Sequence, residues 1–221
     1  MALFSKKYRM YYRPEANDIF ILNEQATYRP LIELCKGKVV LDLGANIGAF
    51  SNNALRAGAK KVYALEPEQD NIEMIEKQPF NSEFSNFKLI KKAVSTESGI
   101  ASFYVNEKAN KGCHSLIERR GRIKIYVPTI AFSEVLKNSK PEIIKVDIEG
   151  EELYLDFDLI LKTKVEAIAI EIHFDKTGTL DKGLKLRKFL EDNFSELTRP
   201  KQSRVAADKF MRLAFFIGVR K

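Results

Sequence analysis

The sequence predicts an α/β fold in which helices cover both faces of a mostly parallel sheet. Two observations predict it. Short runs rich in Val, Ile and Leu alternate with helix-like segments, the pattern of βαβ units. The runs also end on residues able to do chemistry: Asp42, Glu66, Asp147, Glu149, Glu171 and His173. Ligands of open α/β sheets bind at the carboxyl ends of the strands, so this coincidence says more than any one motif. The 221 residues suit one domain, residues 1–221, and contain no repeat, low-complexity tract or Pro/Gly/Ser-rich linker.

The elements follow in order. Residues 1–37 form an N-terminal cover segment, with a helix expected over Glu24 to Leu34 on the ligand side. Lys38 to Leu43 is a buried strand that runs into Gly44. Ala49 to Ala57 is a short helix closed by Gly58. Lys61 to Leu65 is a second strand ending at Glu66-Pro67, Glu68 to Lys77 a helix, and Phe87 to Lys92 a third strand. Ile100 to Val105 and Ile123 to Val127 alternate with a two-residue period and predict a hairpin insertion, residues 100–128. Its polar, glycine-containing connection, Asn106 to Arg122, is expected to be mobile and to meet substrate. The main sheet resumes at Ile143 to Val146, followed by Asp147 and a helix near Glu151 to Leu161. Ala167 to Ile170 leads to Glu171 and His173, and a helix covers Lys182 to Asp192. Ser195 to Arg199 and Leu213 to Val219 predict a closing hairpin.

Composition narrows the function classes. The net charge is +7 and the pI about 9.2, which permits an anionic partner. The cations are spread along the chain, however. The one dense group, Arg119, Arg120, Arg122 and Lys124, has no interleaved aromatic stacking motif, so nucleic acid is not the expected partner. The longest C-terminal apolar run, Leu213 to Val219, is strand-sized, and no run approaches a membrane span. Met1 to Tyr12 lacks the apolar stretch of a secretory signal. Cys35 and Cys113 are read as reduced thiols, and the expected location is cytoplasmic. No pattern sets the oligomeric state.

Gly44-Ala45-Asn46-Ile47-Gly48 follows a strand and opens a helix carrying Phe50. A dinucleotide site wants G-x-G-x-x-G, whose second glycine admits a pyrophosphate; here that position is Asn46. The loop better suits a cofactor without phosphates. Asp42 can accept from a ligand ammonium, directly or through water, and Glu66 from both hydroxyls of a ribose. Both carboxylates would repel a polyphosphate. Together they favour S-adenosylmethionine, whose ammonium and sulfonium are cationic. The plainer alternative is a tight strand–helix turn with Asp42 as a helix cap.

Val40-Leu41-Asp42-Leu43-Gly44-Ala45-Asn46-Ile47-Gly48, Ala64-Leu65-Glu66-Pro67, Lys92-Ala93-Val94-Ser95, Ile144-Lys145-Val146-Asp147-Ile148-Glu149-Gly150 and Glu171-Ile172-His173 closely resemble the FkbM family of methyltransferases. The resemblance runs from about Val39 to His173. It implies a Rossmann-like class I methyltransferase: a mostly parallel seven-stranded sheet, helices on both faces and an antiparallel last strand. It also implies O-methylation of a hydroxyl, commonly on a sugar or natural product, with Ala93 near the adenine and Asp147 facing the methyl. Such proteins often carry an acid after the V-P-T segment. Here Val127-Pro128-Thr129 is followed by Ile130, with Glu134 as the candidate substitute.

Methyl transfer to oxygen is a direct displacement that needs alignment and removal of a proton. Asp147 is the first candidate base; Lys145, two residues earlier, shares its strand face, and Glu149 is a second carboxylate nearby. The alternative makes Asp147 and Glu149 a helix cap. Glu171 and His173 share a face and are candidates for substrate binding, as is His114 in the insertion; His173 is also a candidate base. A divalent metal on Asp147, Glu171 and His173 is conceivable, but a metal-free site is the preferred expectation. The acceptor expected is a sugar or glycan. The alternatives are another small molecule, RNA, or a catalytically silent S-adenosylmethionine-binding module. Asp147-Ile148-Glu149-Gly150 is not the N/D-P-P-Y/F of RNA methylases, and the retained carboxylates argue against a silent module.

Overall fold

The computed structural model describes residues 2–106, 113–118, 121–175, 178–197 and 211–221. A hairpin of β1 (Leu3–Ser5) and β2 (Met10–Tyr12) precedes α1 (Asp18–Glu24) and α2 (Arg29–Ile32). Then come β3 (Val39–Leu43), α3 (Ala49–Arg56), β4 (Lys61–Leu65), α4 (Gln69–Lys77), α5 (Pro79–Glu83) and β5 (Phe87–Ile90). The strands β6 (Ala93–Ser95), β7 (Gly99–Val105) and β8 (Ile123–Ala131) form a separate three-stranded sheet in the order β6-β8-β7. The chain continues through α6 (Phe132–Ser139), β9 (Ile143–Val146), a 3-10 turn at Glu151–Leu153 and α7 (Asp158–Leu161). It ends with β10 (Ala167–Asp175), α8 (Leu180–Asn193), β11 (Phe194–Glu196) and β12 (Met211–Arg220).

The main sheet has seven strands in the order β11-β12-β10-β9-β3-β4-β5. Neighbours from β10 to β5 are parallel, while β12 runs antiparallel to both β10 and β11. The expected fold class is the observed one: a Rossmann-like α/β sheet with an antiparallel last strand. Among the described residues, no helix is long and apolar enough to cross a membrane.

Two helical expectations need correction. Glu24 to Leu34 is not one helix: α1 stops at Glu24 and α2 restarts at Arg29. Pro30 lies in the first turn of α2, where its missing N–H costs nothing, and it would break a helix running through it. Glu151 to Leu161 is likewise split into the 3-10 turn and α7. Leu155 and Phe157 are both buried, a two-residue spacing that no α-helix presents on one face. The hairpin insertion is present as β7 and β8. Residues 107–112 and 119–120, much of its connection and two of its arginines, lie outside the described residues, as do residues 198–210 of the closing hairpin.

Strand side chains alternate between the two faces of the sheet. Leu41, Leu43, Leu65, Ile144, Val146, Ile168, Ile170 and Ile172 point to one face and form a core with Val135, Leu136 and Leu190. Val40, Val62, Ala64, Ile143, Ala167 and Ala169 point to the other, against Phe50, Leu55, Leu31 and Tyr28. Continuing the alternation along this second face reaches Asp42, Glu66, Lys145, Asp147, Glu171 and His173. One face therefore changes from apolar to charged at the carboxyl ends of four strands.

Candidate active site

Two glycines shape the floor of the site. Gly44 has φ +77°, and a Cβ there would stand 1.8 Å from the Asp147 carbonyl oxygen, so only glycine lets the ends of β3 and β9 approach this closely. Gly48, at φ +82°, leaves room for the Phe80 ring, which a Cβ would meet at 2.6 Å. Gly48 thus serves packing. Between them Asn46 takes φ 52°, a left-handed conformation that asparagine tolerates better than most residues, and its Oδ1 accepts from Ile47 N at 2.8 Å.

Register sets Asp42 beside Lys145 on the neighbouring strand. Asp42 is fully buried. Its Oδ2 accepts from Ser51 Oγ at 2.7 Å, and its Oδ1 lies 3.5 Å from Lys145 Nζ. Lys145 Nζ donates to the Gly44 carbonyl at 2.7 Å and lies 3.5 Å from Asp147 Oδ2, so one ammonium ties the glycine turn to both aspartates. Burial works against that charge, but Asp147, Asp42 and Glu171 outweigh it and raise the Lys145 pKa. Lys145 is buried beneath the two aspartates.

Glu66 is also buried. Its oxygens accept from Asn46 N at 2.8 Å, Glu68 N at 3.0 Å and Asn71 Nδ2 at 3.4 Å. Burial pushes its pKa up to about 7, and Glu68 adds to the rise against these N–H donors. Pro67 beside it is half-buried. Phe50 is 2% exposed and stacks edge-on to Tyr28 at 5.7 Å, within the core beneath the turn. Ala93 is buried on β6 opposite Thr129.

Beyond Asp147 the chain reverses through Glu149 (φ 58°) and Gly150 (φ 115°). The left-handed Glu149 costs roughly 1–2 kcal/mol, and Ser115 Oγ holds its carbonyl at 2.7 Å. The turn carries Glu149 Oε2 to 3.8 Å from His173 Nε2. Behind the imidazole, Glu152 Oε1 accepts from His173 N at 2.6 Å and lies 3.1 Å from Nδ1. Burial lowers the His173 pKa, yet Glu149, Glu152 and Asp147 overcome this and push it up to about 10. Glu171 does not join this group. It turns to Tyr28, whose hydroxyl donates to Oε1 at 2.7 Å, and burial, with Asp147 adding, pushes it up to about 8.

Sequence reasoning missed Tyr28, Ser115 and Glu152. Tyr28 and Glu171 are 143 residues apart, so no local spacing could link them. Glu152 was signalled only by its place in an acidic run after Gly150. His114 and Glu134 both have partners of their own. His114 is buried on the hairpin, its Nδ1 accepting from Asn106 N at 3.0 Å and its ring against Phe103, so it braces the insertion. Glu134 lies in the first turn of α6, exposed, accepting from Ser98 Oγ at 2.8 Å, and does not replace an acid at the site.

The site is a charged end of one sheet face, held against a glycine turn and rich in carboxylates. A family model, the methyltransferase FkbM domain, matches residues 42–197, from the aspartate before that turn to β11. The chain belongs to this family. The FkbM chain is also similar to the hexuronic acid methyltransferase AglP of Haloferax volcanii, 30% identical over 134 residues, 59% of this chain and 54% of AglP. It thus spans about half the length of that relative. Among solved structures, the precorrin-6y C5,15-methyltransferase of Geobacter metallireducens GS-15 has a TM-score of 0.51 at 14% identity, over 100% of this chain and 94% of that one. Trm5b of Pyrococcus abyssi has a TM-score of 0.50 at 12% identity, over 96% and 51%. These likenesses carry the fold alone, that of class I S-adenosylmethionine-dependent methyltransferases.

Proposed function

We propose that this FkbM chain binds S-adenosylmethionine on the Gly44 to Gly48 turn and transfers its methyl group to a hydroxyl of a sugar or glycan. The observation that carries the reading is the conversion of one sheet face to carboxylates beside that turn. Asp42, Asp147 and Glu171 surround the single ammonium of Lys145, and Glu66 stands one strand away. A row of carboxyl oxygens able to accept hydrogen bonds suits a cofactor with ammonium and hydroxyl groups and offers nothing to a phosphate. Glu66 accepts one ribose hydroxyl through its remaining lone pair and the other in place of the long 3.4 Å Asn71 donor. Asp147, half-buried at the rim, takes the acceptor proton as the hydroxyl oxygen attacks the methyl carbon and the carbon–sulfur bond breaks. His173, engaged by Glu152, is better placed to hold than to take a proton.

The sugar half of the proposal draws on the hexuronic acid named for the AglP relative. The test is methyl transfer from labelled S-adenosylmethionine to a panel of neutral and uronic-acid glycans. Label in glycan hydroxyls supports the proposal. Cofactor binding without transfer to any glycan, or transfer to RNA alone, contradicts it.

A further inference from the structure

We propose that Asp147, Glu149 and His173 hold one divalent cation, which seats two oxygens of the acceptor. The proposal rests on the methyl-transfer reading above and deepens it. One ligand atom from each of these residues lies within 4.8 Å of the others. This is not the set expected from sequence, because Glu171 turns away to Tyr28 and Glu149 takes its place.

The imidazole gives the independent indication. His173 is 8% exposed, its Nδ1 is committed to Glu152, and its Nε2 faces the two carboxylates with no hydrogen bond among the described residues, the nearer oxygen being 3.8 Å away. A carboxylate gripping the remote nitrogen is the usual support of a metal-bound histidine, since it fixes both tautomer and ring orientation. Glu152 is 1% exposed and is itself fixed by Gly150 N, which donates to its Oε2 at 2.8 Å. The three ligands stand on the end of β9, its turn and β10, and Ser115 pins the turn. Ligands of one small ion at about 2.1 Å lie roughly 3 Å apart, so the group closes by up to about 2 Å on binding. Two carboxylates and one imidazole suit Mn²⁺, which displaces the Nε2 proton of His173 to solvent on binding, and an octahedral ion keeps positions open for a hydroxyl and a neighbouring hydroxyl or carboxylate.

A bound cation makes the acceptor hydroxyl more acidic. Its oxygen forms the bond to the methyl carbon, sulfur leaves with the electron pair of the broken bond as a thioether, and the proton passes to the Asp147 oxygen not on the ion.

The test is calorimetric titration of Mn²⁺ into the full chain after chelator treatment, with S-adenosylmethionine titrated separately and circular dichroism as the check on folding. One Mn²⁺ per chain is expected, bound at least tenfold more weakly by Glu149→Gln and by Glu152→Gln. No binding to folded wild type, or equal affinity in both variants, overturns the site. A chain that binds Mn²⁺ but not S-adenosylmethionine retains the site and overturns the methyl-transfer reading; the converse result overturns the site alone. Undiminished methyl transfer after chelation overturns the cation's role.

Discussion

The two faces of the main sheet are built from the same strands and differ in where they stop being apolar. On one face β3, β9 and β10 stay apolar to their ends, through Leu43, Val146 and Ile172. On the other, Val40 gives way to Asp42, Ile143 to Lys145 and Asp147, and Ala169 to Glu171 and His173. Burying charge is costly unless it is paired. Here pairing is supplied by Lys145, by Ser51, and by Tyr28 from the N-terminal cover. One face thus stays apolar to the strand ends, and the other passes from core to paired charge.

The sharpest division is expected between transfer and stability. Asp147→Asn keeps the shape of a half-buried side chain but loses the proton acceptor, so turnover falls roughly 10²–10⁴-fold while S-adenosylmethionine affinity stays nearly constant. Single-turnover methyl transfer measures this, and wild-type turnover in the variant would dissolve the distinction between the faces. Ile170→Ala, on the apolar face, is expected to do the reverse. It removes a fully buried side chain and costs about 2–5 kcal/mol of stability. Urea unfolding reports that loss, and the folded fraction should bind cofactor as before.

A smaller effect lies at Glu66. Glu66→Ala is expected to weaken S-adenosylmethionine binding at least tenfold, as loss of charge-assisted hydrogen bonds worth about 1.5–3 kcal/mol implies. The same residue predicts a pH dependence. Its folded-state pKa is raised from 4.5 to about 7, so the folded chain keeps a proton that the unfolded chain releases. The stability it contributes is complete below about pH 4.5 and declines as pH rises through about 7. Urea midpoints across that window should fall less steeply in Glu66→Gln than in wild type; parallel curves would reject the assignment. The smallest expected effect is at Cys35, buried in the second-face core with its thiol pushed up to about 12 by burial and then Asp42. A thiol reagent should label half-buried Cys113 in the native chain and Cys35 only after unfolding.

The parallel strands were legible because each is a short run of branched apolar residues ending at a polar one. Asp42, Glu66, Asp147 and His173 were legible because strand ends locate chemistry in this architecture. The rest depended on contacts that no spacing encodes. Tyr28, which reaches Glu171, lies in the break between the two helices that replace the one expected across Glu24 to Leu34. Glu152 looked like one acid of a helix start, yet it points inward and orients His173. Gly48 matched a cofactor motif, and its glycine is required by Phe80.

The central claim is that the charged end of the second face is the methyl-transfer site. A crystal structure of the chain with S-adenosylhomocysteine tests it most directly. The account predicts ribose hydroxyls within about 3 Å of Glu66, at hydrogen-bond distance, and the sulfur directed toward Asp147. Ligand bound away from the Gly44 turn, or with its sulfur turned from Asp147, would contradict it.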